Sequence, residues 1–229
     1  MRRLGLLKRP PRLRKLALTS HVRGLLDVAQ CGELHLRPRG SIGLAPIGGG
    51  LFNLTVVVSG TEAARVAGDR DAYYDEVLTA YPRLQGAQRV AGVLATGPFD
   101  WPTRTAVADG ALLVGDAAGY FDPFTGQGIY RALRGAALAA EAAVAALSAD
   151  DVSAEALEPY ERARRQAFYP GTRLQRAIEP FLARPLLMRM AANRFRRRPA
   201  LADSLIAVIG DLQPVRTLWA PQNLARLFA

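Results

Sequence analysis

Cysteine is almost missing from these 229 residues. Cys31 stands alone, so no intrachain disulfide and no cysteine-based metal cluster can form. Histidine is nearly as rare: His21 and His35 cannot make a zinc site without carboxylate help, and no such spacing occurs. No metal site is expected. Lysine is reduced to Lys8 and Lys15, every other base being arginine. Aromatics reach only 7 % and do not interleave with the bases, and no nucleic-acid motif appears, so nucleic acid is not an expected partner. Long apolar runs are missing as well, and none approaches the length that spans a bilayer. The basic N-terminus runs into Pro10 and Pro11 instead of an apolar core, so a secretory leader is not expected. The expected location is the cytoplasm, with peripheral membrane contact left open.

Half of the residues are hydrophobic, enough for a substantial core. Thirty Lys+Arg stand against 20 Asp+Glu, a net charge of +10. The excess sits in the stretch to Lys15 and from Arg162 to Arg198. Such a balance permits attraction to anionic surfaces.

The chain is organised around residues 111–147. Ala111 to Val114 is a short apolar run compatible with a buried strand. Gly115-Asp116 ends it and sets a carboxylate at a strand's carboxyl end, where open α/β sheets hold ligands. Ala117 to Thr125 is a loop with Gly119 and Pro123, and Gly126-Gln127-Gly128 opens an alanine-rich helix. Its free N–H groups and positive dipole end face whatever the loop encloses. Ile129, Leu133, Ala136, Ala140, Val144 and Leu147 fall on one stripe, expected to pack closely on a sheet, with Arg131, Arg134 and Glu141 off it and solvated.

The run GDAAGYFDPFTGQGIYRALRGAALAAE resembles the second FAD-binding motif of flavoproteins with the aromatic-hydroxylase fold. The geranylgeranyl reductase-like branch is the nearer one, because Gly119 and Gly128-Ile129-Tyr130 stand where the hydroxylases more often have His and Asn. The resemblance implies that Asp116 accepts hydrogen bonds from the flavin ribitol. It further implies that Pro123, Gly126, Gly128 and Ile129 bring backbone against the isoalloxazine ring, with Gly115, Gly119 and Gln127 completing the cofactor-binding set. It names no catalytic residue. It also implies a G-x-G-x-x-G βαβ unit for the ADP half of FAD. No such fingerprint occurs in these residues; Gly48-Gly49-Gly50 follows Pro46 and lacks the strand-then-helix setting. Met1-Arg2-Arg3-Leu4-Gly5 matches the segment just after the family's middle motif, so the chain is read as the C-terminal part of a longer fold.

In chain order, residues 1–14 are expected to fray. Strands are expected at Leu16–Gly24, Glu33–Arg37, Ser41–Pro46 and Phe52–Ser59, forming an antiparallel meander turned at Gly32, Pro38–Gly40 and Gly48–Gly50. A helix is expected from Glu62 to Tyr81, stopped by Pro82. Gln88–Thr96 is strand-like, and Asp109-Gly110 is a hairpin signal. Trp101 is read as either pocket wall or core. His21, His35 and Cys31 carry no catalytic assignment. Beyond Asp151, helices are expected over Ala154–Phe168, ended by Pro170-Gly171, over Thr172–Arg194, from Leu201 to Ile209, and after Pro214, where Leu224, Leu227 and Phe228 are apolar. This cluster would be a plain cover or a lid on a lipid-sized pocket.

The expected class is α+β: an antiparallel substrate-domain sheet, the second part of an FAD-binding α/β domain, and a C-terminal helical cluster, an incomplete flavoprotein fold. The expected regions are 1–104, 105–150 and 151–229. The implied function is an FAD-dependent oxidoreductase using NAD(P)H, either reducing isoprenoid-like double bonds or hydroxylating a hydrophobic small molecule. A second chain supplying the missing unit, or a homo-oligomer, is the implied protein partner. Two alternatives stay open: a non-catalytic remnant or partner subunit, and a basic surface-binding protein.

Overall fold

The computed structural model describes residues 1–12, 15–26, 31–37, 40–182 and 184–219. The chain divides into two compact units: Leu13–Phe99, and Met1–Arg12 together with Asp100–Ala229. The sheet unit ends at Phe99, five residues before the boundary expected at 104, and the first twelve residues go with the later part.

In the first unit, four strands of alternating or β-branched sequence pair antiparallel: β1 (Lys15–Arg23), β2 (Glu33–Arg37), β3 (Gly40–Gly48) and β4 (Leu51–Ser59). The expected meander is corrected at one edge. β1 pairs with β4, not β2, in register from Lys15↔Ser59 to Val22↔Phe52. β1 is the longer and more buried strand, with Leu18 and Val22 fully enclosed, and β4 offers Leu54, Val56 and Val58. Joining these apolar faces buries more surface than pairing β1 with the half-exposed β2. The other edge of β1 takes β5 (Gln88–Arg89) and β6 (Leu94–Thr96), the two halves of the strand-like segment.

The helix expected over Glu62–Tyr81 is broken into α1 (Ala63–Gly68) and α2 (Arg70–Ala80). Asp69 lies between them in extended conformation, and its carboxylate accepts the Ala72 N–H at 2.9 Å, an N-cap that restarts the helix. Tyr74 of α2 is fully buried and donates to the Leu54 carbonyl at 2.8 Å, fixing the helix on the sheet.

In the second unit the N-terminal residues are not frayed. Leu7 bridges Thr103, Lys8 N–H donates to Pro102 O, and the Arg9 guanidinium meets the buried Asp100 at 2.6 Å. A short hairpin, β7 (Val107–Ala108) and β8 (Ala111–Leu112), turns at Asp109-Gly110 as expected. The 21-residue α3 (Gly128–Ser148) follows the glycine-bearing loop.

α4 (Glu158–Leu182) runs through Pro170, where the sequence suggested an end. An interior proline costs a helix about 3 kcal/mol. Contacts on both sides offset it: Arg131 and Thr172 both donate to the Phe168 carbonyl, and Gln175 donates to Thr125 and Gln127. The break comes later, before α5 (Pro185–Arg197), and Pro199 then opens α6 (Pro199–Ile209). The turn expected at Pro38-Arg39 and the apolar tail of Leu224, Leu227 and Phe228 lie outside the described residues. Among the described residues no helix is long and apolar enough to cross a membrane, and no group of acidic, His and Cys side chains could hold a metal.

Candidate functional site

The Gly115–Ile129 loop is clamped from α4. Tyr160 is buried and donates to the Leu113 carbonyl at 2.6 Å; Glu161, also buried, accepts the Ala106 N–H at 2.9 Å. The hairpin that delivers the loop is thereby fixed at the residues that flank it, Ala106 before β7 and Leu113 after β8. Gly115 then turns the chain with φ +58, and a Cβ there would stand 3.2 Å from that of Ala132. Only glycine takes this conformation while letting α3 approach so closely. Asp116 follows in a short 3₁₀ turn (Gly115–Ala118). Its carboxylate is exposed and makes no hydrogen bond among the described residues, while its carbonyl accepts the Gly119 N–H.

Beyond Gly119 the chain pairs through Tyr120 with Trp101, the two residues exchanging both backbone hydrogen bonds. Burial raises the Tyr120 pKa, and the charges of Asp116 and Asp122 add to it. Buried Asp122 accepts the Phe124 N–H at 2.8 Å and caps a second 3₁₀ turn, Pro123–Thr125. Gly126 takes the left-handed conformation, φ +67, and α3 begins two residues later. A Cβ at Gly126 or Gly128 would meet nothing within 4 Å, so the outer side of this turn is open to a ligand's approach.

Two members of the expected set stand differently. The Gln127 side chain is buried and committed: it donates to Ile209 O and to the Asp211 carboxylate, both at 2.8 Å, and accepts from Gln175 at 3.0 Å. Its backbone is what remains for a ligand. Ile129 is 78 % exposed, at one end of the apolar stripe. That stripe is itself a correction: Leu133, Val144 and Leu147 are all more than 60 % exposed. The face that packs is the neighbouring one of Gly135, Leu138, Ala139, Ala142 and Ala146, whose small side chains bring α3 against the hairpin and α4. Arg131, expected in solvent, is half-buried. Its Nη2 donates to Phe168 O at 3.0 Å and to Thr172 Oγ1 at 2.8 Å. Burial lowers its pKa from the usual guanidinium value; the Asp211 charge opposes this and the Arg164 charge reinforces it. Arg134 and Glu141 are exposed as expected.

A cleft of about 240 Å³ is lined by Gly115 and Ala118–Phe121, by Trp101–Arg104 with Lys8, and by α3 and α4, so Gly115 and Gly119 of the expected set face it. Trp101 is a wall of this cleft. Neither Asp116 nor Pro123–Ile129 reaches it. The sequence reading missed the α4 contribution. Its signal was present as Arg164, Phe168, Thr172 and Arg176, four residues apart and therefore on one helix face. His21 is exposed on β1, His35 bonds Glu33 at 2.7 Å, and Cys31 is an exposed free thiol.

No protein-family profile matches the chain. Digeranylgeranylglycerophospholipid reductase 1 of Methanococcoides burtonii is 34 % identical over 131 residues, 57 % of this chain and 31 % of its own length. The protein of that name from Methanothermobacter thermautotrophicus is 36 % identical over 123 residues, 53 % of this chain and 30 % of its own. The chain thus spans about a third of the curated relatives it matches. Among solved structures, the flavin-dependent halogenase CmlS superposes with a TM-score of 0.64 at 26 % identity, covering 74 % of this chain and 32 % of that one. A geranylgeranyl bacteriochlorophyll reductase-like protein of Thermoplasma acidophilum gives 0.64 at 21 %, covering 93 % and 51 %. Over about half its length the chain is similar to these digeranylgeranylglycerophospholipid reductases, and its mixed helix and antiparallel sheet architecture matches part of the fold of these flavin-dependent enzymes.

Proposed function

We propose that this chain is the C-terminal part of an FAD-dependent oxidoreductase, with residues 105–150 holding the flavin and the antiparallel sheet serving the substrate. The observation that carries the reading is the loop: an exposed, unpaired Asp116 carboxylate beside an open glycine turn at the start of a 21-residue helix. A carboxylate free of protein partners suits a ligand rich in hydroxyls, and the helix N-terminus favours the electron-rich edge of a ring. The residues fit the cofactor that the fold implies. Asp116 would hold the ribitol; Gly126, Gly128 and the Gln127 backbone would lie along the ring, with Pro123 and Ile129 flanking it. FAD bound there supplies hydride transfer, with NAD(P)H as electron donor, and the protein supplies position and electrostatics. The names of the curated relatives favour reduction of double bonds in an isoprenoid-like, hydrophobic substrate over hydroxylation. The setting is cytoplasmic, with peripheral membrane contact.

One observation favours a second reading, in which the chain is a non-catalytic partner subunit or works only in assembly with another polypeptide. The apolar stripe of α3 is exposed. Both readings meet in one experiment: add FAD to the purified chain, remove the excess and record the flavin absorbance bands. Retained flavin that Asp116→Ala weakens by about 1.5–3 kcal/mol, the scale of a charged hydrogen bond, supports the first. Affinity unchanged in that variant overturns the site, and a colourless wild-type protein favours the second reading.

A further inference from the structure

The cleft lined by Ala118–Phe121 has a charge balance that its internal partners do not settle. Six cations line it: Lys8, Arg104, Arg131, Arg164, Arg165 and Arg176. Glu161 takes Arg164 and Arg165 together, and the lining residue Asp100 takes Arg9. Lys8, Arg104, Arg131 and Arg176 have no carboxylate partner among the described residues. Two of them are held in place by rings: the Arg131 guanidinium lies 5.5 Å from the Phe168 ring centre, and that of Arg176 5.6 Å from Phe121. Both N–H groups of Arg131 Nη2 are used on neutral oxygens, which leaves its Nε and Nη1 donors unassigned.

We propose that this cleft is a binding site for a phosphate-type oxyanion, either the free ion or the phosphate end of a larger molecule. Four cations arriving from the N-terminal segment, the 101–104 segment, α3 and α4 call for more than one negative charge and for acceptors pointing in several directions. A tetrahedral phosphate or a diphosphate offers both; a planar carboxylate offers one edge. The volume, about 240 Å³, is below that of a pocket enclosing a drug-sized ligand, so the cleft takes a head group and leaves any apolar remainder outside. Trp101, Tyr120 and Tyr169 at its walls give that remainder a surface to lie on. The cleft shares Gly115 and Gly119 with the expected cofactor-binding set but uses neither Asp116 nor the Gly126–Gly128 turn, so Asp116→Ala, which tests the flavin reading, is expected to leave oxyanion binding unchanged.

The test is calorimetric titration of the full chain with inorganic pyrophosphate, and separately with vesicles containing an anionic phospholipid, at about 20 and 150 mM salt. Saturable one-site binding of either probe is expected, the pyrophosphate arm identifying a free ion and the vesicle arm a lipid head group. Arg104→Gln with Arg176→Gln removes two exposed side chains that anchor no backbone. This pair is expected to weaken binding about tenfold or more, the scale of one lost charge-assisted hydrogen bond. Arg196→Gln with Arg197→Gln removes the same charge from α5 and is expected to change affinity less than threefold. Equal loss in the two pairs overturns the proposal, because it would mark diffuse attraction to a protein of net charge +10. Absence of saturable binding by both probes overturns it as well.

Discussion

Arg83 forks onto Glu33, Nη2 to Oε1 at 2.6 Å and Nε to Oε2 at 3.0 Å, while His35 Nε2 meets Oε2 at 2.7 Å. The Arg83 hydrogen bonds hold the Glu33 pKa below its ordinary 4.5; partial burial opposes this, and His35 adds to the lowering. A carboxylate with a depressed folded pKa contributes stability that is present above the ordinary value and lost as pH falls through the folded one. Both side chains keep some solvent, so Arg83→Gln is expected to cost only about 1 kcal/mol at neutral pH. The gap between wild type and variant should then close below the ordinary carboxylate range. Urea midpoints measured from neutral pH down to acid check this, and a gap independent of pH would refute it. At this scale legibility was uneven. The turn glycines Gly115 and Gly126 were readable because a tight loop demands glycine where φ is positive. Arg131 was not, because helical spacing gives the angle of a side chain and says nothing of what α4 brings beside it.

Elements were legible wherever local chemistry decides them. The strands Glu33–Arg37 and Phe52–Ser59 lie within a residue of their expected bounds, and the Asp109-Gly110 hairpin forms as its turn residues demand. Pairing and continuity were less legible, because both depend on partners distant in sequence. β1 joins β4 across the sheet through buried area, and α4 passes Pro170 because α3 and the loop hold it. The break at Gly68-Asp69 is a case in which a local signal, an aspartate before a helical run, was outweighed in reading by the periodicity around it. Its energetics can be measured. Asp69→Ala removes the acceptor for the Ala72 N–H and is expected to destabilise the sheet unit by about 1 kcal/mol. Asp69→Ser, which can still cap, should recover most of the loss. If alanine and serine unfold at the same urea concentration, the cap contributes nothing to the unit.

Across the whole molecule, the exposed stripe of α3 and the net charge of +10 act against each other. Covering one large aliphatic side chain is worth about 1.5–3 kcal/mol, so burying Leu133, Val144 and Leu147 against any partner favours association by several kcal/mol. Repulsion between two copies opposes it but is screened beyond about 8 Å at physiological ionic strength. Self-association is therefore expected to strengthen as salt is added, opposite to the behaviour of a contact made by charges. Replacing the three residues with glutamine should leave the unfolding midpoint nearly unchanged, since surface substitutions fall within about 0.5 kcal/mol each. It should abolish the salt-promoted association seen by sedimentation velocity. Association that persists in the triple variant would move the driving surface away from α3. Association that weakens with salt would assign it to charged groups, with the arginines of α5 the first to examine.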